Sequence, residues 1–384
     1  MWVGNSLLFN WLDRNLRPTP GESTAGAATK GPLGQIWLLH SGAFYYVEKT
    51  LLGGDPLPKP LHWFKWQAYT TWLSGLLLLI VVYWFGGRAD LVDPSILHVH
   101  QPTGLLIAWG AVFGGWALYE SMNRFVAPRA PKIAAAVWIV GLAAISIALT
   151  QVLSGRAAFL HVGAMLGTIM AANVFLTIVP SQRELVKSVK QGGIENVKAL
   201  SLRAKHVSIH NNYFTFPVIA LMVSNHFPSF YGNRYSWLVL LILIGAGALV
   251  RHLLNLRYSF SAWKPAVYGT LIAGMAALYV IAQAGSATST VHVMPGAPVT
   301  FSDVRHVIDQ RCVACHSAHP SDMTFGGVPP MGVIFDTPEQ IEMRAQRIYQ
   351  RAVLIKTMPF ANKTNMTDEE RSIIARWIGQ GASR

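Results

Sequence analysis

The chain has 384 residues, 52% of them apolar and only 13% charged, and a net charge of +13. So low a charged fraction excludes an ordinary soluble enzyme and reads as a membrane protein. A positive excess in a soluble chain would point to nucleic acid, but here Lys and Arg fall in alternate connections between apolar runs, which is a topology signal, and no nucleic-acid partner is expected.

The first sixteen residues are apolar up to Trp11 and closed by Asp13-Arg14, so they read as the second half of a truncated first span. Thr19–Gly31, rich in Ser, Thr, Gly and Ala, reads as a linker. Runs of about twenty mainly apolar residues, enough to cross about 30 Å of hydrocarbon, then recur. They lie at Ala68–Gly86, Thr103–Met122, Ile133–Leu153, Ala157–Val179, Phe214–Tyr231, Ser236–Leu256 and Ala266–Ala284. The fold class predicted is therefore all-α, a polytopic bundle of seven full spans plus the truncated one. This membrane domain covers residues 1–285, and a linker follows at 286–299.

One set of connections carries Arg14 to Lys65, then Arg124, Arg129 and Lys132, then Arg183 to Lys205, then Arg257 and Lys264. The other set carries only Arg88, Arg156 and Arg234. The positive-inside rule makes the first set cytoplasmic and places everything after the last span outside. The expected location is thus a bacterial inner membrane, with the C-terminal part in the periplasm and the lipid bilayer itself as a partner.

Ionisable or strongly polar groups inside spans are functional candidates. Asn173, Arg251 and His252 are such groups, with helix-to-helix hydrogen bonding or snorkelling as the plainer explanation. On the deduced topology His98, His100, His161 and His226 fall on the periplasmic side. They form a group that either ligates a second redox centre, lines a pocket or consists of interfacial histidines bonded to backbone and water. No dinucleotide fingerprint, phosphate loop or metalloprotease helix is present.

Residues 300–384 read differently. Cys312-Val313-Ala314-Cys315-His316 holds the only two cysteines of the chain in the spacing that attaches a c-type haem. Two thiols add to the haem vinyl groups, and the adjacent imidazole sits under the iron. A zinc site would want four N or S ligands that do not cluster here. A helix beginning near Ser302 delivers the motif. Thr337-Pro338-Glu339-Gln340 and Thr367-Asp368-Glu369-Glu370 are capping boxes that open further helices, and the first and last helices are expected to pack together. Met358, followed by Pro359, is the predicted distal ligand, with Met323, Met331 and Met366 as alternatives. The prediction is a small class I-like mono-haem cytochrome c domain whose iron is held by His316 and Met358.

Several stretches resemble the bacterial membrane-bound urate oxidase (urate hydroxylase) family. They are Trp2-Val3-Gly4 through Asp13, Ile36 through Gly42 with Phe44-Tyr45-Tyr46, Leu61 through Trp66, and His210-Asn211-Asn212-Tyr213 through Ser224-Asn225-His226. Members of that family join an eight-span domain to a C-terminal cytochrome c, and their first span is complete. The resemblance implies oxidation of urate to 5-hydroxyisourate in purine catabolism. The electrons would leave through the covalent haem to a respiratory cytochrome or oxidase.

Urate is a planar anion, so its pocket needs an aromatic wall, cationic or amide donors and a base. His40, His62, Lys65, His210 and Asn211 are the pocket candidates, and all fall on the basic, cytoplasmic side while the haem lies outside. Either these segments dip into the bundle, or a relay exists, or the site is the periplasmic His group. The rival function is a membrane-anchored cytochrome c subunit that accepts electrons from a quinol or a partner dehydrogenase. A second rival, a haem-b quinol oxidoreductase, needs stacked transmembrane His pairs, and the histidines here stand mostly at span ends.

Overall fold

The computed structural model describes residues 2–17, 31–51, 60–85, 91–92, 97, 99–191, 197–287, 298–354 and 356–383. His98, residues 19–30 of the first predicted linker and residues 288–297 of the second lie outside them.

The protein is mostly helical. Helix α1 (Trp2–Asn15) is only 14 residues long, which at 1.5 Å per residue is short of a membrane crossing. Among the described residues six helices are long and apolar enough to cross a membrane. They are α2 (Lys65–Phe85), α3 (Pro102–Val126), α4 (Pro131–Val152), α5 (Gly155–Lys190), then α7 (Ser236–Asn255) and α8 (Trp263–Ala282). Pro131 opens α4 at a position where a missing N–H costs nothing, and α3 likewise has a proline in its first turn. The outward side chains Leu271, Ile272, Met275 and Val280 of α8 are exposed and apolar, as hydrocarbon contact requires.

One prediction needs correction. The apolar residues of the expected span Phe214–Tyr231 belong to the second half of helix α6 (Val197–Ser224), whose first half carries Lys205, His206, His210, Asn211 and Asn212. The helix stops at Ser224, and Pro228–Tyr231 forms a separate turn, so the run is broken and its polar first half dilutes its hydropathy. The mostly helical fold also carries one small sheet beyond the all-α expectation. Strands β1 (Gly31–His40) and β2 (Ala43–Leu51) form an antiparallel hairpin that pairs Trp37 with Tyr46 and His40 with Ala43. Its two-residue turn, Ser41-Gly42, has φ of 51° and 77°, the left-handed pair that matches the twist of a tight hairpin.

The chain divides into two compact units. One comprises Met1–Gly75, Gly167–Phe216 and Gly247–Val267. In it, α1 is held by side-chain bonds from Asn5 to Gln67 and from Asn15 to Tyr258, the latter 2.5 Å. Ala68, Val174 and Val179 make a small core under Trp2, Trp63 and Tyr69. The other comprises Leu76–Leu166, Pro217–Ala246 and Tyr268–Arg384. Here Gly155 starts α5 against the carbonyl of Tyr231, where any Cβ would collide, which explains the glycine.

Within that second unit, residues 299–382 build their own core. Val304, Val307 and Ile308 of α9 (Phe301–Arg311) pack with Ile374 and Trp377 of α11 (Asp368–Gly379), while α10 (Pro338–Met343) contributes Ile341. Phe301 meets Trp377 at 5.8 Å between ring centroids, so the first and last helices of this part do pack together. Both predicted capping boxes form, and Thr300 with Asp303 makes a third at the start of α9. Each satisfies two otherwise orphaned N–H groups and contributes about 1 kcal/mol.

Candidate functional site

In the first unit α1, residues 61–68, the second half of α5 and the first half of α6 enclose a cavity of about 630 Å³. Its wall is aromatic on one side, with Trp2, Phe9, Trp63 and Phe64, and Phe9 meets Phe64 edge-to-face at 5.2 Å. Lys65 and Lys205 supply cations, Asp13 the one carboxylate of the lining, and Asn5, Asn10, Gln67, Gln182, Asn211 and Asn212 the amides. The Lys65 ammonium lies 5.8 Å from the centre of the Trp63 ring and 5.5 Å from that of Trp66, so its charge is aimed by aromatic faces. The α5 wall is a π-helical turn, Asn173–Ile178, a local widening that recurs at functional sites.

Behind the amides runs a buried polar network. Asn173 Nδ2 donates to Asn211 Oδ1 at 2.8 Å, and Asn211 Nδ2 donates to the Met170 carbonyl at 3.0 Å. Asn212 Oδ1 accepts from Arg251 Nε, and Asn212 Nδ2 donates to Asn255 Oδ1 at 3.1 Å. Tyr213 and His252 share a 2.7 Å hydrogen bond.

Of the five pocket candidates, three line the cavity: His62, Lys65 and Asn211. His210, half-buried beside them on α6, packs against His206 at 4.6 Å, and His40 ends β1, exposed at the hairpin turn. Asn212, Lys205 and Gln182 are lining residues that sequence reasoning did not select, although Asn212 stands next to a selected residue.

The histidines predicted to face the periplasm behave differently. His161 is fully buried; Trp84 Nε1 lies 3.3 Å from its Nε2, and its Nδ1 lies 2.8 Å from the Ala157 carbonyl. Indole is a donor only, so Nε2 accepts, Nδ1 carries the proton, and both ring nitrogens are committed. His100 and His226 are exposed. Among the described residues no three or more His, Cys, Asp and Glu are grouped to hold a metal ion.

In the C-terminal part, Cys312 and Cys315 follow the end of α9 as free thiols. Burial pushes the Cys312 thiol, packed against the apolar core, up to about 12, and burial together with the Asp322 carboxylate raises that of Cys315, so both sulfurs are neutral. His316 Nδ1 lies 3.0 Å from the Val333 carbonyl, which makes Nδ1 the protonated nitrogen and leaves the Nε2 lone pair for a metal. Burial also lowers the imidazole pKa, which favours that neutral form. Met358 is half-buried against the core, whereas Met366 is inside it and Met323 is exposed. Two thiols, an oriented imidazole and a half-buried thioether fit the donor set of a c-type haem.

The sequence profile described as urate oxidase N-terminal matches residues 1–284, which contain the whole cavity. The chain belongs to the urate oxidase N-terminal family. That membership points to urate-related oxidoreductase chemistry. No curated protein and no solved structure matches the chain.

Proposed function

We propose that the chain is a membrane-bound oxidoreductase that converts urate and water to 5-hydroxyisourate, releasing two electrons and two protons. The observation that carries this is the cavity inside the family-matched residues, with an aromatic wall, two lysines and a row of amides. Such a lining suits a flat, anionic, carbonyl-rich heterocycle. Phe9, Trp63 and Phe64 would sandwich the ring, and Lys65 would hold its charge. His62, which lines the cavity edge-on to Phe64 at 4.8 Å, is placed to take a proton as the ring is oxidised.

The membrane domain, residues 1–285, would pass its electrons through the linker-tethered cytochrome c domain, residues 300–384. A haem bound to Cys312 and Cys315, with His316 and Met358 on its iron, would accept electrons one at a time and release them to a respiratory cytochrome or oxidase. The six apolar helices suit an inner-membrane location, and the basic connections suit a periplasmic cytochrome domain.

The test is anaerobic addition of urate to the oxidised, haem-containing full-length protein while the reduced cytochrome α band is followed. Reduction stoichiometric with urate loss is the expected result. Dithionite-reducible haem that urate leaves oxidised would instead favour an electron-transfer subunit served by another donor.

A further inference from the structure

Arg251 is the least exposed charged residue of the membrane-spanning helices: 1% of its surface is accessible, in the last turns of α7. Its Nε donates to Asn212 Oδ1, its guanidinium lies 5.5 Å from the Phe216 ring centre, and its Nη2 is buried without a hydrogen-bond partner. None of the ion pairs among the described residues involves it. Arg257, one turn and a half further on, stacks over Tyr258 at 4.7 Å and also has a buried, unpartnered Nη2. Among the described residues, neither of these two buried or half-buried guanidiniums has a carboxylate partner. An uncompensated charge of this kind is costly, and it persists where an anion is to be held.

A guanidinium has no acceptor, so the amide of Asn212 can present only its oxygen to Arg251. That fixes the amide orientation. The NH₂ group turns away, gives one hydrogen to Asn255 at 3.1 Å and keeps a second one, on a side chain that lines the cavity. Asn211 is held in the same manner, its oxygen by Asn173 and its NH₂ by the Met170 carbonyl, but neither partner is a cation.

We infer that Arg251 is the positioning residue that makes the cavity selective for a planar purine monoanion. It supplies the counter-charge from one layer behind the lining and holds Asn212 as a donor to a ring carbonyl. This rests on the functional reading given above and names the charge state of the substrate and the residues that read it. Nothing is transferred to or from Arg251; it acts on affinity and orientation alone.

The test compares urate, an anion, with hypoxanthine, a neutral purine of similar shape, on the haem-containing full-length protein. Binding is read by quenching of tryptophan fluorescence, and turnover by urate loss with a soluble one-electron acceptor. Arg251→Gln is expected to weaken urate at least tenfold in Kd and KM, with kcat within threefold and hypoxanthine within twofold. Arg251→Lys should recover most of the lost urate affinity. Asn212→Asp gives the buried guanidinium a carboxylate partner, so the protein should fold with full haem content and an unlowered thermal transition, yet lose urate while still binding hypoxanthine.

Equal loss of both ligands in Arg251→Gln would show a merely structural role and overturn the inference. So would unchanged urate affinity in Asn212→Asp. A wild-type protein that binds urate without oxidising it defeats the catalytic reading alone, and the variants still decide the role of Arg251. A wild-type protein that does not bind urate defeats both.

Discussion

Arg371 Nη1 donates a 2.9 Å hydrogen bond to the carbonyl of Met358, the residue proposed above as distal haem ligand. The same guanidinium, only 4% exposed, also reaches the carbonyl of Ala352 and, through Nη2, Asn362 Oδ1 at 3.2 Å. One side chain of α11 thus fastens both ends of the segment 352–362. Replacing it with Met keeps the bulk but strips this donor from the carbonyls of Ala352 and Met358, while Asn362 Oδ1 keeps the Met366 N–H, at a cost of roughly 2 kcal/mol. Arg371→Met should lower the urea midpoint of the C-terminal part and, in the haem protein, let carbon monoxide displace the loosened thioether. A variant whose reduced haem stays closed to carbon monoxide would show that the loop holds without Arg371.

Asp322 and Lys363 tie the loop after Cys312-Val313-Ala314-Cys315-His316 to the loop after Met358, with Nζ 2.6 Å from Oδ2. Burial alone would raise the Asp322 pKa, but Lys363 and Thr324 bring the carboxyl down to about 2. A carboxylate with a depressed folded-state pKa stabilises fully above its unfolded value near 4 and loses that contribution as pH falls through 2. After allowance for solvent around Lys363, the acid-labile share is about 1 to 2 kcal/mol. Unfolding measured between pH 5 and pH 2 should show this loss, and Lys363→Met should flatten it. An equally steep acid limb in that variant would assign the proton to another group.

His161 accepts from Trp84 and donates to Ala157, so it is a satisfied core histidine rather than an open metal ligand. Trp84→Phe should cost about 1 to 2 kcal/mol by stranding Nε2, without altering the visible spectrum. A second α band extractable by acid acetone, lost in His161→Leu, would restore a redox centre at this place.

What the sequence made legible was local. Both predicted capping boxes and the long apolar helices are written in spacings of a few residues or in continuous hydropathy. The hairpin carried its own signal, Ser41-Gly42 between Trp37 and Tyr46, which the apolar character of the stretch obscured. The cavity draws on segments near residues 2–13, 61–68, 174–186 and 205–212, which only tertiary packing brings together. For the same reason sequence picks out Arg251 as a costly buried charge but cannot name Asn212 as its partner. His40 and His62 look alike in sequence, each set in an aromatic stretch, and the hairpin separates their placements.

His62, in the segment leading into α2, and Lys65, the first residue of that helix, both line the cavity, yet they should fail in different ways. Lys65 bears a charge that an anion meets on binding and keeps through turnover, so Lys65→Met removes uniform binding. Its KM for urate should rise about five- to tenfold with kcat little changed, the equivalent of about 1 kcal/mol. A proton acceptor acts mainly in the transition state, so His62→Gln should lower kcat by about 10² or more with KM nearly unmoved. Steady-state urate oxidation in the two variants separates these signatures. If His62→Gln keeps kcat within threefold, the proton leaves by another route, and the exposed His62 is an edge of the cavity wall rather than its base.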